Sequence, residues 1–441
     1  MTTDAKKTEV GSYFISNYPP YSLWSERDIP EIRRAMNDAP ADAPLGLYVH
    51  IPFCRKRCKF CYFKVFTDNT ASEIESYVAG LSREIERVSR LPVMGDRPFR
   101  FVYFGGGTPS FLSVRQLRSL EERLRASIDW SRAEEVTFEC EPGTLSESKV
   151  LAIRDLGVTR LSLGVENFSD AVLSENGRAH LSEEIDRAWR SIERARFPNV
   201  NVDLIAGMVG ETWDNWRECV RRVLDLAPDS VTIYQLELPF NTVYSQDLRN
   251  AGSPSGPGRP IPVADWPTKR AWVGYAFDTL ESAGYRVSSG YTMIKDPARV
   301  HFHYRDQLWQ GADLLATGIA SFGHVSGVHY QNVASWSDYL GALLQGDGLP
   351  IGRALRPTHR QRLIREMILQ LKRGRLDTAY FESKFGTSIL DVWGPVWSAL
   401  ERERRLTIDG TRITLTRDGL LRVDELLPAF FEPEHRGVRY T

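Results

Sequence analysis

The stretch YVHIPFCRKRCKFCYFKVF, Tyr48–Phe66, begins as a strand and ends as a cysteine loop. Tyr48 to Ile51 close the β-rich run GLYVHI (46–51), and Pro52 stops it because proline cannot donate to a ladder. Three of the chain's five cysteines then fall in residues 54–61, spaced C-x3-C-x2-C. The same strand rhythm recurs in FRFVYF (99–104), EEVTFE (134–139), TRLSLGV (159–165), NVNVDLI (199–205) and SVTIYQLEL (230–238). Between the runs lie stretches with apolar residues three and four apart, such as ASEIESYVAGLSREIERVSR (71–90) and RQLRSLEERLRASI (115–128). Strands alternating with amphipathic helices predict an α/β fold of parallel units, a partial (β/α)6 barrel with its functional residues at the carboxyl ends of the strands.

The 441 residues exceed one small domain. We expect an N-terminal extension (1–45), the barrel (46–248), an accessory α/β region completing the core (249–352) and a C-terminal module (353–441). RNAGSPSGPGRPIPVADWP (249–267) reads as an exposed loop, TKRAWVGYAFDTLESAGY as a helix and RVSSGYTM as a strand. In the last ninety or so residues, helical patterns precede LTIDGTRITLT, a hairpin turning at Asp409-Gly410, in the manner of a winged helix; we read it as a packing lid. With 56 Lys+Arg against 57 Asp+Glu there is no global field for nucleic acid or an anionic membrane. No apolar run is long enough to span a bilayer, and MTTDAKKTEVGSYF lacks a signal peptide's apolar stretch. The expected compartment is a reducing cytoplasm of bacterial type, where clustered thiols signal metal or redox chemistry rather than disulfides.

Cys54, Cys58 and Cys61 are one ligand short of a closed structural zinc site, which His50 or Cys140 could complete. Inert cysteines are disfavoured, because Arg55, Lys56, Arg57 and Lys59 should depress the thiol pKa values. Three thiolates suit a [4Fe–4S] cluster better, with one iron left open for a non-protein ligand and the cations offsetting its negative charge.

With Phe60 before the last cysteine, the motif resembles the signature of the radical SAM superfamily. LYVHIPFC, FGGGTPSFL, RLSLGVENF, NVDLIAG and GIASFGHV resemble its subgroup of oxygen-independent coproporphyrinogen III oxidases, radical SAM heme chaperones and class C methyltransferases. The resemblance runs in order from SNYPPYSLWS through the C-terminal module. It implies a partial radical SAM barrel in which the open iron chelates S-adenosylmethionine (SAM) and one electron cleaves it to methionine and a 5′-deoxyadenosyl radical. It implies also a flavodoxin- or ferredoxin-type electron donor, and neither nucleic acid nor membrane as a partner.

Carried over residue by residue, the resemblance makes Tyr48, Gly106, Gly107, Thr108 and Glu139 contacts of the first SAM. Glu166, Arg178 and Asp203 match positions holding a second SAM, and Glu237 falls near another. Phe60 and Phe322 would wall the two cofactors. Alone, a glycine triplet is more often a turn, and a strand-end Asp is often a helix cap. Cys140, alternating to the other face, reads as core.

Three departures narrow the function. Phe63 stands where the oxidase has a further cysteine, and Glu166 where it has Gln. The heme chaperones' H-N-x-x-Y-W motif is not intact: HFHYRDQLWQGADLL offers His303 and Trp309 as nearest equivalents, and His301, His324 and His329 carry no motif. Because the second-SAM positions are kept while the oxidase's thiol is absent, and YQLELPFNTVYS resembles the corresponding class C segment, the expected reaction is of class C type. The radical takes hydrogen from the second SAM's methyl group, and the SAM-methylene radical adds to an sp2 carbon of an unsaturated small molecule, giving methylation or cyclopropanation. Methylation needs a base, for which Glu166 and Glu237 are the candidates. The alternatives are an oxygen-independent coproporphyrinogen III oxidase and a radical SAM heme chaperone.

Overall fold

The computed structural model describes residues 15–239, 241–251 and 262–438. The six expected strands form with small shifts at their ends: β1 (Leu45–Ile51), β2 (Phe99–Gly106), β3 (Glu135–Cys140), β4 (Arg160–Glu166), β5 (Asn199–Ala206) and β6 (Ser230–Gln235). Each pairs with the next in parallel. Helix α1 (Ile29–Asn37) precedes them, and α2 (Ala71–Val88) and α3 (Val114–Arg125) form the first two crossovers. Both crossover helices start at capping boxes: the hydroxyls of Thr70 and Ser113 accept from the N–H groups of Glu73 and Gln116, whose side chains accept in return.

The strands alternate cleanly. Leu47, Val49, Val102, Phe104, Val136, Phe138, Leu161, Leu163, Val202, Leu204, Val231 and Ile233 join the main hydrophobic core. The intervening positions present Tyr48, His50, Tyr103, Glu139, Ser162, Asn201, Asp203 and Thr232 to the opposite, concave face, where they bond to one another. Asn201 donates to Ser162 Oγ (2.9 Å) and Asp203 Oδ1 (2.8 Å), and accepts from Ser230 (2.9 Å) and Thr232 (3.0 Å). An apolar outside and a polar inside follow from period-2 alternation in a curved sheet.

Among the described residues, twelve strands make one open sheet. Beside β6 stand β7 (Arg286–Ser289) and β8 (Thr292–Ile294); beside β1 stand β9 (Asp313–Thr317), β10 (Phe322–Val325), β11 (Val328–Asn332) and β12 (Ile351–Leu355). The stretch expected as one strand, RVSSGYTM, is thus a hairpin: Ser289 pairs with Thr292 across a Gly290-Tyr291 turn. Its helix neighbour forms as Trp266–Ser282. A helix occupies Val243–Ala251 where the loop was expected to begin, and residues 252–261 of that loop lie outside the described residues.

The C-terminal module holds a three-stranded sheet of β13 (Arg375–Asp377), β14 (Leu406–Asp409) and β15 (Arg412–Leu415). Asp409 pairs with Arg412, so the turn residues are Gly410, at φ 56°, and Thr411, one place later than expected. The module's helix His359–Leu371 packs into the same core as the barrel helices. Behind it, fully buried Lys372 donates to Ile15 O (2.6 Å) and pairs with Asp424 (3.0 Å).

Candidate functional site

The cysteine loop is closed at its base and tied down at its crown. Cys54 N donates to Phe66 O (3.0 Å) and Phe66 N to Pro52 O (2.8 Å), so the motif leaves and re-enters beside the end of β1. At the crown, Lys59 N donates to Asn176 O (3.1 Å) and Tyr244 N to Lys59 O (3.2 Å). The three thiols are half-buried and free. Burial pushes Cys54 up to about 11 and Cys61 up to about 12. This corrects the expectation that the neighbouring cations depress them. Arg55 makes a bidentate pair with Glu141 (2.9 and 3.1 Å), and Lys59 pairs with Glu175 (3.2 Å), so these charges are spent elsewhere.

The donor set fits a cluster better than a single ion. A tetrahedral zinc with bonds of ~2.3 Å draws its sulfurs to about 3.8 Å apart. Among the described residues, the one trio of ligand atoms mutually within 4.8 Å is Glu432, Glu434 and His435, not the cysteines. Of the two candidate fourth ligands, Cys140 is turned away from the loop and His50 has one ring nitrogen engaged. Cys140 is buried on the apolar face, its thiol toward Phe138 O (3.9 Å), and His50 Nδ1 meets the Tyr48 hydroxyl (3.2 Å). Two side chains already address the sulfurs: Thr108 Oγ1 donates to Cys54 (3.4 Å) and Arg178 Nη1 to Cys58 (3.5 Å).

Below the loop, three carboxylates from adjacent strands converge. Glu139, on β3, accepts from Tyr103 (2.7 Å) and Gly106 N (3.0 Å). Asp203, on β5, accepts from Ser162 (2.8 Å) and Asn201 (2.8 Å), so it is no helix cap. Glu166 ends β4 just past a register shift at Gly164, with φ 65°, a left-handed backbone that costs a non-glycine residue of order 1 kcal/mol or more. Such a bulge re-aims a side chain. Arg178 spans the site: it donates to Gly164 O (2.7 Å) and lies 3.7 Å from Glu166 Oε1. Burial raises Glu139 and Glu166 to about 7 and Asp203 to about 6, and repulsion from neighbouring carboxylates adds to the shift of the two glutamates. Burial opposes the charge of Arg178, but Cys58 and Glu166 outweigh it and raise its pKa. The pocket thus stores negative charge at neutral pH for which Arg178 alone compensates poorly.

That charge has a testable cost. A carboxyl raised in the folded state adds stability below the unfolded pKa of about 4.5 and loses it as pH climbs through the folded value near 7. Glu166→Gln should therefore raise the ligand-free protein's stability at pH 8 by about 1–3 kcal/mol and do little at pH 4.5. Thermal melts across that range are the measurement.

The other expected contacts are placed as follows. Gly107 N donates to Ile51 O (2.8 Å), and a Cβ there would lie 2.8 Å from the carbonyl carbon of Pro52. Gly106 has φ 119°, and a Cβ on it would strike the His50 ring at 2.6 Å. A Cβ on Gly105 would likewise meet Tyr103 at 2.7 Å, so all three glycines admit the chain's own neighbours. Tyr48 stacks on Tyr103 (5.9 Å) beside the carboxylates. Phe60 packs with Val172, Ile205, Met208 and Leu236 under the loop. Phe322 is exposed at the start of β10, edge-on to Trp24 (5.6 Å) and Tyr21 (6.1 Å). Glu237 follows β6 beside Tyr62, Tyr291 and Lys269. Phe63 is 48% exposed and packs on Tyr62 (4.6 Å).

The histidines fall elsewhere. His303 Nδ1 pairs with Glu134 (2.7 Å) just before β3, at the amino ends of the strands. His301 meets Ala298 O (3.2 Å), and His324 and His329 are buried, His329 against Tyr18 O (3.1 Å). Sequence reasoning missed several site residues. Buried His180 and Arg55 grip Glu141; burial opposes ionisation there, but their hydrogen bonds hold it at about 2. Ser162, Asn201 and Tyr234 were missed too, although polar residues at alternate strand positions were a legible signal.

The Radical SAM superfamily profile matches residues 48–223, and the HemN C-terminal domain matches residues 358–422. A protein of Lactococcus lactis, described as heme chaperone HemW, is 29% identical over 85% of this chain and 94% of its own. The oxygen-independent coproporphyrinogen III oxidase of Pseudomonas aeruginosa is 29% identical over 88% of this chain and 86% of its own. In fold, the chain is similar to the HemN coproporphyrinogen III oxidase of Escherichia coli, with TM-score 0.80 at 22% identity, over 95% of this chain and 96% of that one.

Proposed function

We propose, for a chain that belongs to the radical SAM superfamily and to its coproporphyrinogen III oxidase-like subgroup, a two-SAM enzyme that oxidises a tetrapyrrole-type substrate by hydrogen abstraction. The observation that carries the two-cofactor reading is the convergence of Glu139, Glu166, Asp203 and Arg178 beside the cysteine loop. A [4Fe–4S] cluster held by this loop together with SAM would supply the one electron for reductive cleavage of the sulfonium.

The chain's own groups do the rest. Cys54, Cys58 and Cys61 would hold the cluster, and the Thr108 and Arg178 donors stabilise thiolate charge at two of them. The carboxylates offset the positive charge of sulfonium and ammonium groups, and raised pKa values make that compensation strongest above neutral pH. The apolar and aromatic wall of Phe60, Tyr48 and Tyr103 excludes water from the cavity. An external one-electron donor of flavodoxin or ferredoxin type belongs to the proposal. No helix among the described residues is long and apolar enough to cross a membrane.

The named relatives support the tetrapyrrole substrate, and they support it better than the class C reaction expected from the sequence. Methyl or methylene transfer to an sp2 carbon is a second reading, favoured by exposed Phe63 where the oxidase has a cysteine. Heme trafficking through His303 is the weakest, since Glu134 occupies its Nδ1 at the strands' amino ends.

One anaerobic assay separates them: reconstituted protein, dithionite, SAM carrying a deuterated methyl group, and coproporphyrinogen III. Decarboxylated porphyrinogen with unlabelled methyl carbon supports the oxidase. No turnover of coproporphyrinogen III, with label passed to an added unsaturated acceptor, moves the assignment to the transferase. Absence of 5′-deoxyadenosine under all conditions rejects radical SAM chemistry.

A further inference from the structure

His50 stands out among the buried polar groups at the strand ends. It is 6% exposed, on the concave face of β1, paired in register with Gly105. Its Nδ1 meets the Tyr48 hydroxyl at 3.2 Å, while Nε2 is buried with no hydrogen-bond partner among the described residues. An orphaned buried donor or acceptor costs about 1–3 kcal/mol, and native structures rarely keep one without a purpose. The surroundings are built for this ring. Gly106 takes φ 119° and Gly318 φ 99°, and a Cβ on either would collide with His50, at 2.6–2.9 Å for Gly106 and 2.7 Å for Gly318. Tyr77 Oη fixes the backbone by donating to His50 O (2.8 Å), and Ile319 N donates to the same hydroxyl (3.2 Å). Two glycines and two tyrosines hold one imidazole whose outer nitrogen is left unused.

We infer that Tyr48 donates to His50 Nδ1, fixing the neutral tautomer with its proton on Nε2, and that this N–H contacts an anionic acceptor bound at the strand ends. Burial that pushes the imidazole down to about 4 keeps the ring neutral at working pH. The inference rests on the two-SAM reading. That reading brings two acceptors of the same chemistry to this end of the barrel: sulfur of a thiolate-held cluster and the carboxylate of SAM. It also changes the meaning of the glycine triplet, whose middle residue makes room for the imidazole rather than for the cofactor directly.

The test uses His50→Phe, which keeps a flat ring and removes the orphan, and His50→Gln, which restores an N–H donor. Metal-free protein should melt no lower with Phe than with His, because an unpaired buried group has been removed. In cluster-loaded protein the Phe variant should weaken SAM binding by about 10- to 100-fold, the range for a hydrogen bond to a charged group, with partial recovery in the Gln variant. A lowered cluster midpoint potential without SAM would identify sulfur as the acceptor; an unchanged potential with weakened SAM binding would identify the carboxylate. Unchanged potential and affinity in a loaded Phe variant overturn the inference alone. So does a Phe variant whose metal-free form melts lower while both readouts hold, since that marks a packing role. Wild-type protein that takes up no cluster overturns the two-SAM reading and this inference together.

Discussion

Cys58→Ala is expected to abolish both the iron–sulfur absorbance of anaerobically reconstituted protein and the reductive cleavage of SAM. Three thiols are all the loop offers, and the chain's other two cysteines do not replace one. Cys140 is buried on the apolar side of β3, and Cys219 is fully buried in the helix Trp213–Leu226. The substitution also strands Arg178, which loses its sulfur acceptor and keeps Gly164 O and the Glu166 contact. Because Arg178 is tied to the backbone, the fold should survive, and circular dichroism should match wild type while the visible absorbance falls to background. A variant retaining both the chromophore and deoxyadenosine formation would remove Cys58 from the ligand set.

Asp203→Ala should uncouple the two cofactors. Deoxyadenosine formed abortively from the first SAM continues, while product falls by at least about 100-fold, since misplacing a reacting group by an ångström carries that cost. Asp203 is held by Ser162 and Asn201 and meets Arg178 through charge alone, so its loss leaves the hydrogen bonds to the thiols in place. Alanine also leaves Ser162 Oγ and Asn201 Nδ2 short of an acceptor, for about 1–3 kcal/mol of stability. Asp203→Asn keeps the shape and offers a control: product should drop there too, because the negative charge is lost. The ratio of product to deoxyadenosine, by mass spectrometry, reads the effect. An unchanged ratio in both variants would take Asp203 out of the second site.

Those two outcomes draw on different kinds of information. The cysteine spacing is a local property, visible to anyone counting residues, because a loop of eight residues must present its thiols together whatever surrounds it. The barrel was legible for a related reason. The apolar runs 46–51 through 230–238 carry their own period, and parallel strands with helices between them have few ways to bury such runs. The carboxylates were legible one at a time, as strand-end residues matching a family pattern, but not as a group with a shared electrostatic problem. Their raised pKa values arise from burial beside one another, and Glu139, Glu166 and Asp203 are up to 64 residues apart in the chain. The predicted depression of the thiol pKa values failed for the same reason: counting Arg55 and Lys59 near the cysteines says nothing about Glu141 and Glu175, which claim them.

What the chain order alone determined is the alternation of strands and helices, the three-thiol loop after the first strand, and a resemblance to the superfamily whose motif those thiols carry. These follow from short-range periodicity and covalent spacing. What only the tertiary structure decided is the state of the groups at the strand ends: the bulge that turns Glu166 inward, the raised pKa values of the carboxylate pocket, and the His50 nitrogen that finds no partner among the described residues, set between a glycine of β2 and one just past β9. Desolvation and mutual repulsion depend on which residues become neighbours after folding, and that is set by packing rather than by position along the chain.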